Sequence, residues 1–269
     1  MEIRINGKAA HTQCRRLMEV AREVQGSLEG LVVIYNGFQT DEDLPLSPGD
    51  EITLIRKGEM PSFEALEPML SARHTPGVYK KIRQSRVAIA GLGGLGSHIA
   101  LSLARTGVGC LHLIDFDIVE PSNLNRQQYR ICHLGMSKAH ALQQQIQEVN
   151  PFVQVIAENL RLTEQNAGDI LRDDPIICEA FDVPESKAML VDTILSTYPE
   201  KVIVAASGMA GYGSSNAIHT RKVAKNFYLC GDETTQAQPG CGLMAPRVSI
   251  CAGHQANAVL RILLGEPDE

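Results

Sequence analysis

Between Ser85 and Ala206 the chain alternates between two hydrophobic periodicities, which restricts its fold more than any other feature of its 269 residues. Short apolar, β-branched runs at Val87–Ala90, Leu111–Ile114, Val153–Ile156, Ile176–Cys178 and Val202–Ala206 read as buried strands. Between them, apolar residues recur at helical spacing: Leu95, Ile99, Leu103 and Thr106; Ala139, Leu142, Ile146 and Val149; and a third set around Ala188, Val191 and Leu195. Pro184 falls in the first turn of that third helix, where its missing N–H leaves nothing unsatisfied. Strands alternating with helices specify an α/β fold, a Rossmann-like and mainly parallel sheet with helices on both faces. Ligands in such sheets bind beyond the carboxyl ends of the strands.

The first 59 residues follow a different pattern. Ile3 and Ile5 alternate with polar neighbours, Leu17, Val20, Ala21 and Val24 share a helical face, and Leu31–Tyr35 is an apolar strand ended by Asn36-Gly37. Ser47-Pro48-Gly49-Asp50 forms a turn into a last strand, Glu51–Ile55. Strands on either side of one helix suit a small β-grasp (ubiquitin-like) domain. We therefore expect a β-grasp domain over 1–59, a linker with a helical segment over 60–84, where Pro61, Pro68 and Pro76 interrupt the pattern, and an α/β domain over 85–269. No run of about 18 apolar residues is present, which argues against a membrane span. A net charge of −6 weighs against non-specific nucleic-acid binding. Seven scattered cysteines and no basic-then-apolar start point to a reducing cytoplasm rather than a disulfide framework.

Polar motifs cluster at the predicted strand ends. Gly91-Leu-Gly93-Gly94-Leu-Gly96 joins the first strand of the α/β region to its first helix, as a turn whose N–H groups approach a phosphate requires. Asp115 ends the next strand, placed to accept bonds from ribose hydroxyls or, alternatively, to cap a helix. The polar stretch that follows contains Asp117, Asn123, Arg126 and Gln127, and Lys138 starts the next helix. A triphosphate needs such cations: Arg can fork two phosphate oxygens and Lys supplies a point charge. Asp182, at a later strand end, could hold Mg²⁺ together with phosphates and water. The glycine loop and Asp115 also suit an NAD-dependent oxidoreductase, although the cationic loop fits a triphosphate better.

These residues resemble the ThiF and MoeB group of ubiquitin-activating-enzyme-like adenylyltransferases, in GLGGLGS at Gly91–Ser97, ARTGVG at Ala104–Gly109 and LIDFDIVEPSNLNRQQY at Leu113–Tyr129. The likeness continues through GMSKA at Gly135–Ala139, AFD at Ala180–Asp182 and GLMAPRV at Gly242–Val248, and looks closest to the ThiF branch of thiamine biosynthesis. It implies an enzyme that adenylates the C-terminal glycine of a sulfur-carrier protein with ATP and Mg²⁺. Asp115 would bind the ribose, Asn123, Arg126 and Lys138 the phosphates, and Asp182 the metal. It also implies a homodimer in which an arginine reaches the partner's phosphates, Arg73 being the nearest candidate. Many relatives hold zinc with two CxxC pairs; this chain has none, so no zinc is expected, and Cys230, Cys241 and His254 do not complete a set. Cys241 lies near the cysteine that some relatives use in sulfur transfer, but not at the matching position.

The N-terminal 59 residues are similar to ThiS, a ubiquitin-like sulfur carrier, most clearly over Leu46–Ile55. A working carrier ends in a free glycine carboxylate, whereas here the chain continues through Arg56-Lys-Gly58-Glu-Met-Pro61. We therefore expect a retired carrier module, with a separate ThiS-like protein as the partner. Two further readings share the scaffold: ATP-dependent cyclisation of a modified tRNA adenosine, and a non-catalytic module that docks a carrier. Ser207–Gly213, following a strand, is a candidate contact for a carrier tail.

Overall fold

The computed structural model describes residues 1–266 and divides into two compact units, Met1–Lys80 and the chain from Lys81 onward. In the first unit a five-stranded sheet is built from β1 (Glu2–Ile5), β2 (Lys8–His11), β3 (Leu31–Tyr35), β4 (Phe38–Gln39) and β5 (Glu51–Arg56), in the order β2-β1-β5-β3-β4. β1 and β5 run parallel at the centre and the other pairs are antiparallel. Helix α1 (Leu17–Gln25) buries Leu17, Val20 and Ala21 against Ile3, Val33, Ile52 and Leu54, while Val24 stays exposed. This is a ubiquitin-like fold.

Both hairpins turn on Asn-Gly pairs with positive φ: Asn6 (47°) and Gly7 (77°), then Asn36 (49°) and Gly37 (85°). The segment expected as a linker packs on these same turns. It forms α2 (Phe63–Leu70) and the start of α3 (Val78–Ile82). A Cβ on Gly7 would lie 2.8 Å from the Cβ of Pro68, and one on Gly37 only 2.5 Å from the carbonyl oxygen of His74. Pro68 and Pro76, two of the prolines that weaken helical periodicity here, thus lie against these turns.

The second unit carries a seven-stranded sheet of β6 (Arg86–Ala90), β7 (Cys110–Ile114), β8 (Gln154–Glu158), β9 (Ile176–Glu179), β10 (Val202–Ala206), β11 (His219–Ala224) and β12 (Phe227–Gly231). The order is β11-β12-β10-β9-β6-β7-β8, parallel throughout except for the edge strand β11. Helices α4 (Gly94–Thr106), α5 (Lys138–Val149) and α8 (Ala245–Leu264) cover one face. Helices α6 (Ala167–Ile170) and α7 (Pro184–Thr197) cover the other.

The five strands expected here all form, as do the three helices. In α4 and α5, Leu95, Ile99, Leu103, Ala139, Leu142 and Ile146 are buried. The third helix corrects the expected face: α7 buries Leu190 and Ile194, while Ala188 is exposed and Val191 and Leu195 are only half-buried. Its periodicity is blurred because apolar residues occur on several sides. The β11–β12 hairpin and α8 add to what the periodicity showed.

The chain leaves β6 for β7 and β8 on one side, and then crosses back to β9 and β10 on the other. This reversal opens a crevice between β6 and β9 at their carboxyl ends, the switch point at which doubly wound sheets bind ligands.

Candidate active site

A cleft of about 450 Å³ occupies that crevice. It runs along the carboxyl ends of β8, β7, β6, β9, β10 and β12, about 24 Å at the usual ~4.8 Å strand spacing. Gly91, Gly93, Gly94, Asp115, Asp117, Arg126, Lys138 and Asp182, all expected from the sequence, line it together.

The glycine turn divides two tasks. Gly93 and Gly94 face the cleft, and α4 starts there, so free N–H groups and the positive end of the helix dipole point towards it. Gly91 (φ 89°) makes the turn. Gly96, expected as a nucleotide contact, does not line the cleft. It lies behind the turn, and a Cβ there would be 1.8 Å from the Gly91 carbonyl oxygen, so it lets helix and strand pack closely.

Asp115 is buried at the end of β7. Its carboxylate accepts the N–H of Leu92 (2.6 Å) and of Asp117 (2.8 Å), which ties the glycine turn to the polar loop. Burial raises its pKa, while Lys138 and those two amides oppose the rise. Each carboxylate oxygen retains acceptor capacity for a ligand hydroxyl. Tyr129 braces the same corner, donating to the Leu92 carbonyl at 2.8 Å. Burial, with Asp115 and Asp117 nearby, lifts its phenol far above the usual range and keeps it a neutral donor.

Lys138 is the first residue of α5, where the helix dipole disfavours a cation. It is nevertheless buried and donates to Asp117 at 2.8 Å. Arg126 lines the cleft and donates from Nη1 to the Ser122 carbonyl (3.1 Å) and to Asn125 Oδ1 (2.9 Å). Its buried Nε, like the buried Oε1 of neighbouring Gln127, has no hydrogen-bond partner among the described residues. Unpaired buried donors are uncommon, and this one is free to meet an acceptor in the cleft.

Asn123 does not line the cleft. Its Oδ1 accepts the Glu120 N–H (3.0 Å) and its carbonyl accepts the N–H groups of Arg126 (3.2 Å) and Gln127 (2.9 Å), so it shapes the turn that presents Arg126. Arg73 belongs to the first unit, where it donates to Gln39. Asp182 is exposed in the cleft and makes no hydrogen bond or ion pair with any described residue. No group of three or more His, Cys, Asp or Glu that could hold a metal occurs among the described residues. The donor set here is one carboxylate, which suits Mg²⁺ completed by phosphate oxygens and water.

Sequence reasoning missed several lining residues. Lys187, in the first turns of α7, reaches back to the fully buried Glu179, 3.0 Å from each carboxylate oxygen, and to the Ala206 carbonyl at 3.1 Å. Burial raises the Glu179 pKa and Lys187 opposes it. Glu179 Oε1 also accepts the Phe181 N–H at 2.7 Å, fixing the turn that carries Asp182. Thr234 and Thr235, after β12, line the far end. Phe116 and Arg161, in cation–π contact at 5.3 Å, line the end near β8. Cys241 is half-buried in a turn closed by paired backbone bonds with Gln238 and does not line the cleft.

Residues 68–269 match the model of the ThiF family. The chain belongs to the ThiF family. Residues 1–58 match the ThiS-like ubiquitin model, which agrees with the β-grasp unit. Among curated proteins, the chain is 37% identical over 203 residues to the adenylyltransferase and sulfurtransferase uba4 of Aspergillus terreus, covering 70% of this chain and 41% of that protein. It is 28% identical over 192 residues to UBA4 of Candida glabrata, covering 69% of this chain and 44% of that protein. The chain thus spans less than half the length of these relatives. Among solved structures, the E. coli tRNA N6-threonylcarbamoyladenosine dehydratase in complex with ATP shares this ThiF-type fold. Its TM-score is 0.67 at 20% identity, over 74% of this chain and 93% of that one.

Proposed function

We propose that this ThiF-family chain is an adenylyltransferase that uses ATP to activate the C-terminal glycine of a separate ubiquitin-like sulfur carrier, in the manner of the ThiS partner of thiamine biosynthesis. The observation that carries this reading is the cleft's composition. Two helix N-termini, Lys138, and an arginine with an unsatisfied buried Nε converge at one half, while the other half, over β9 to β12, has room for a second reactant.

In this reading Asp115 accepts the ribose hydroxyls, and the N–H groups at Gly93 and Gly94, with Arg126 and Lys138, hold the phosphates. Asp182 would hold Mg²⁺, which when bound supplies charge neutralisation at the phosphates. The carrier's terminal carboxylate attacks the α-phosphorus and pyrophosphate leaves. A carboxylate is already ionised at neutral pH, so no general base is needed. The barrier is the approach of two anions, and fixed positive groups lower it by positioning and electrostatic preorganisation. Arg73 is our candidate for an arginine acting across a homodimer.

The N-terminal unit supports the separate-carrier part of the proposal. After β5, Lys57 donates to the Gly30 carbonyl (2.9 Å) and Arg56 grips the carbonyls of Gln25, Ser27 and Glu29. The chain then turns at Gly58 (φ 80°) into α2, so no free glycine tail leaves the β-grasp sheet at this point. We read residues 1–59 as a carrier-derived module that has lost its substrate role, and 85–269 as the catalytic domain.

ATP–pyrophosphate exchange in the presence of a free, glycine-ended ThiS-like carrier tests the assignment. Arg126→Ala and Asp182→Ala should each lower exchange by about 10²-fold or more, the scale of losing one preorganised electrostatic contact. Near-normal exchange in both variants would refute their roles.

A further inference from the structure

The motif Gly242–Val248 ends in Arg247, a residue for which nucleotide contacts leave no task. It is 4% exposed at the start of α8, and its Nη2 is paired with Asp232, whose side chain is 5% exposed. Apart from the buried Arg247 Nε, which has no hydrogen-bond partner among the described residues, both side chains are further engaged. Arg247 Nη1 donates to the carbonyls of Gly213 and Ser214, each at 2.6 Å. Asp232 accepts the N–H groups of Thr234 (2.9 Å) and Thr235 (2.8 Å) on Oδ1, and the Thr235 hydroxyl (2.7 Å) on Oδ2. Burial alone would raise the Asp232 pKa; the Thr235 and Thr234 donors and Arg247 outweigh it and hold the carboxyl well below the usual range.

This one ion pair joins three segments: the loop after β10, the loop after β12, and the N-terminus of α8. The backbone follows it closely. Asp232 donates its N–H to the Gly208 carbonyl (2.9 Å) and Glu233 to that of Ser207 (3.0 Å). A Cβ on Gly208 (φ 80°) would lie 2.1 Å from Asp232 Oδ1. The joined loops supply Ser207, Gly208, Thr234 and Thr235 to the cleft, on the side away from Asp115, Arg126 and Lys138.

Resting on the adenylyltransferase reading, we infer that the buried Asp232–Arg247 pair is a positioning clamp that sets the acceptor half of the cleft, the channel for a flexible glycine-ended peptide. Arg247 touches neither ATP nor the reacting atoms. It acts by fixing the Ser207–Gly213 path, and its planar fork reaches a carboxylate and two carbonyls at once, which a lysine cannot reproduce.

The test uses the full chain carrying Arg247→Met and, as a nearly isosteric second variant, Asp232→Asn. Calorimetry gives ATP affinity, steady-state adenylation with the free carrier gives the carrier KM, and amide hydrogen exchange on the unliganded protein reads the loops. We expect an unchanged ATP affinity and a carrier KM raised between about 10- and 100-fold, as for misplacement on the order of 1 Å. Amides in 207–214 and 232–237 should lose protection while those in 91–96 keep theirs. Unchanged protection in both loops, or an ATP affinity that falls in step with the rise in carrier KM, would overturn the clamp. If Arg247→Met does not fold, the same criteria apply to Asp232→Asn. A wild-type chain that adenylates no carrier would defeat the functional reading and the acceptor role with it; loosened loops beside an unaltered carrier KM would defeat the acceptor role alone.

Discussion

Two alanine substitutions, Gly93→Ala and Gly96→Ala, separate the cleft-facing part of the glycine turn from its packing part. At Gly96 the added Cβ would lie 1.8 Å from the Gly91 carbonyl oxygen, 2.9 Å from its carbon and 3.2 Å from Ile89 Cγ2. Reaching even 3.0 Å requires a shift of about 1.2 Å between α4 and the turn, and neither backbone can give way cheaply. Overpacking of this kind costs about 1–3 kcal/mol or more, and a domain of this size loses about 2–4 °C in Tm per kcal/mol. The same shift moves the Gly93 and Gly94 N–H groups, and a 1 Å misplacement is worth about 10²-fold in activity. At Gly93 the nearest atom to an added Cβ is Gln127 Nε2 at 3.8 Å, an ordinary van der Waals contact. Gly93→Ala should therefore lose less Tm than Gly96→Ala yet bind ATP more weakly, because the methyl group occupies the cleft. Thermal melting and isothermal calorimetry with Mg-ATP measure both quantities. Wild-type ATP affinity in Gly93→Ala, or an undiminished Tm in Gly96→Ala, would refute the division.

Lys187→Met should lower Tm, since breaking a buried pair by removing one partner costs about 3–5 kcal/mol; Glu179→Gln in the same background should restore part of the loss, and calorimetric melting checks both. Nucleotide affinity should weaken as pH falls through a midpoint above the ordinary ~3.9 of an aspartate, because burial raises the Asp115 pKa and only the ionised carboxylate accepts fully from the ribose. The sign follows from that direction: affinity is present above the raised pKa and lost below it, and Asp115→Asn should remove the acid limb in a pH series of ATP titrations. Lys138→Met should weaken ATP binding and leave Asp117 without its 2.8 Å partner, whereas Lys138→Arg should retain part of the affinity, read by the same titration.

The α/β half of the fold was legible because its information is local. Each strand from β6 to β10 is a contiguous apolar run, and the glycine turn, Asp115 and the Asp117–Lys138 stretch sit beside those runs in sequence. What stayed hidden depends on residues distant along the chain. Glu179 and Lys187 look like ordinary surface charges until β9 and α7 bring them together, and Asp232 and Arg247 meet only when the loop after β12 folds back on α8. Strand β11 (HTRKVA) is an edge strand with mostly exposed residues, so it has no buried run to reveal it. Asn123 and Gly96 belong to the motif yet build the turn that presents their neighbours, a division that the motif's sequence does not reveal.

The central claim is that the cleft joins an adenylyl group to a carrier's terminal carboxylate. Intact-mass analysis of a free, glycine-ended ThiS-like carrier incubated with this chain and Mg-ATP tests it most directly. The account requires the carrier to gain one adenylyl group at its terminal glycine, with pyrophosphate released, and to gain it about 10²-fold or more slowly with Arg126→Ala. A carrier of unchanged mass in the presence of a chain that demonstrably binds ATP would contradict it.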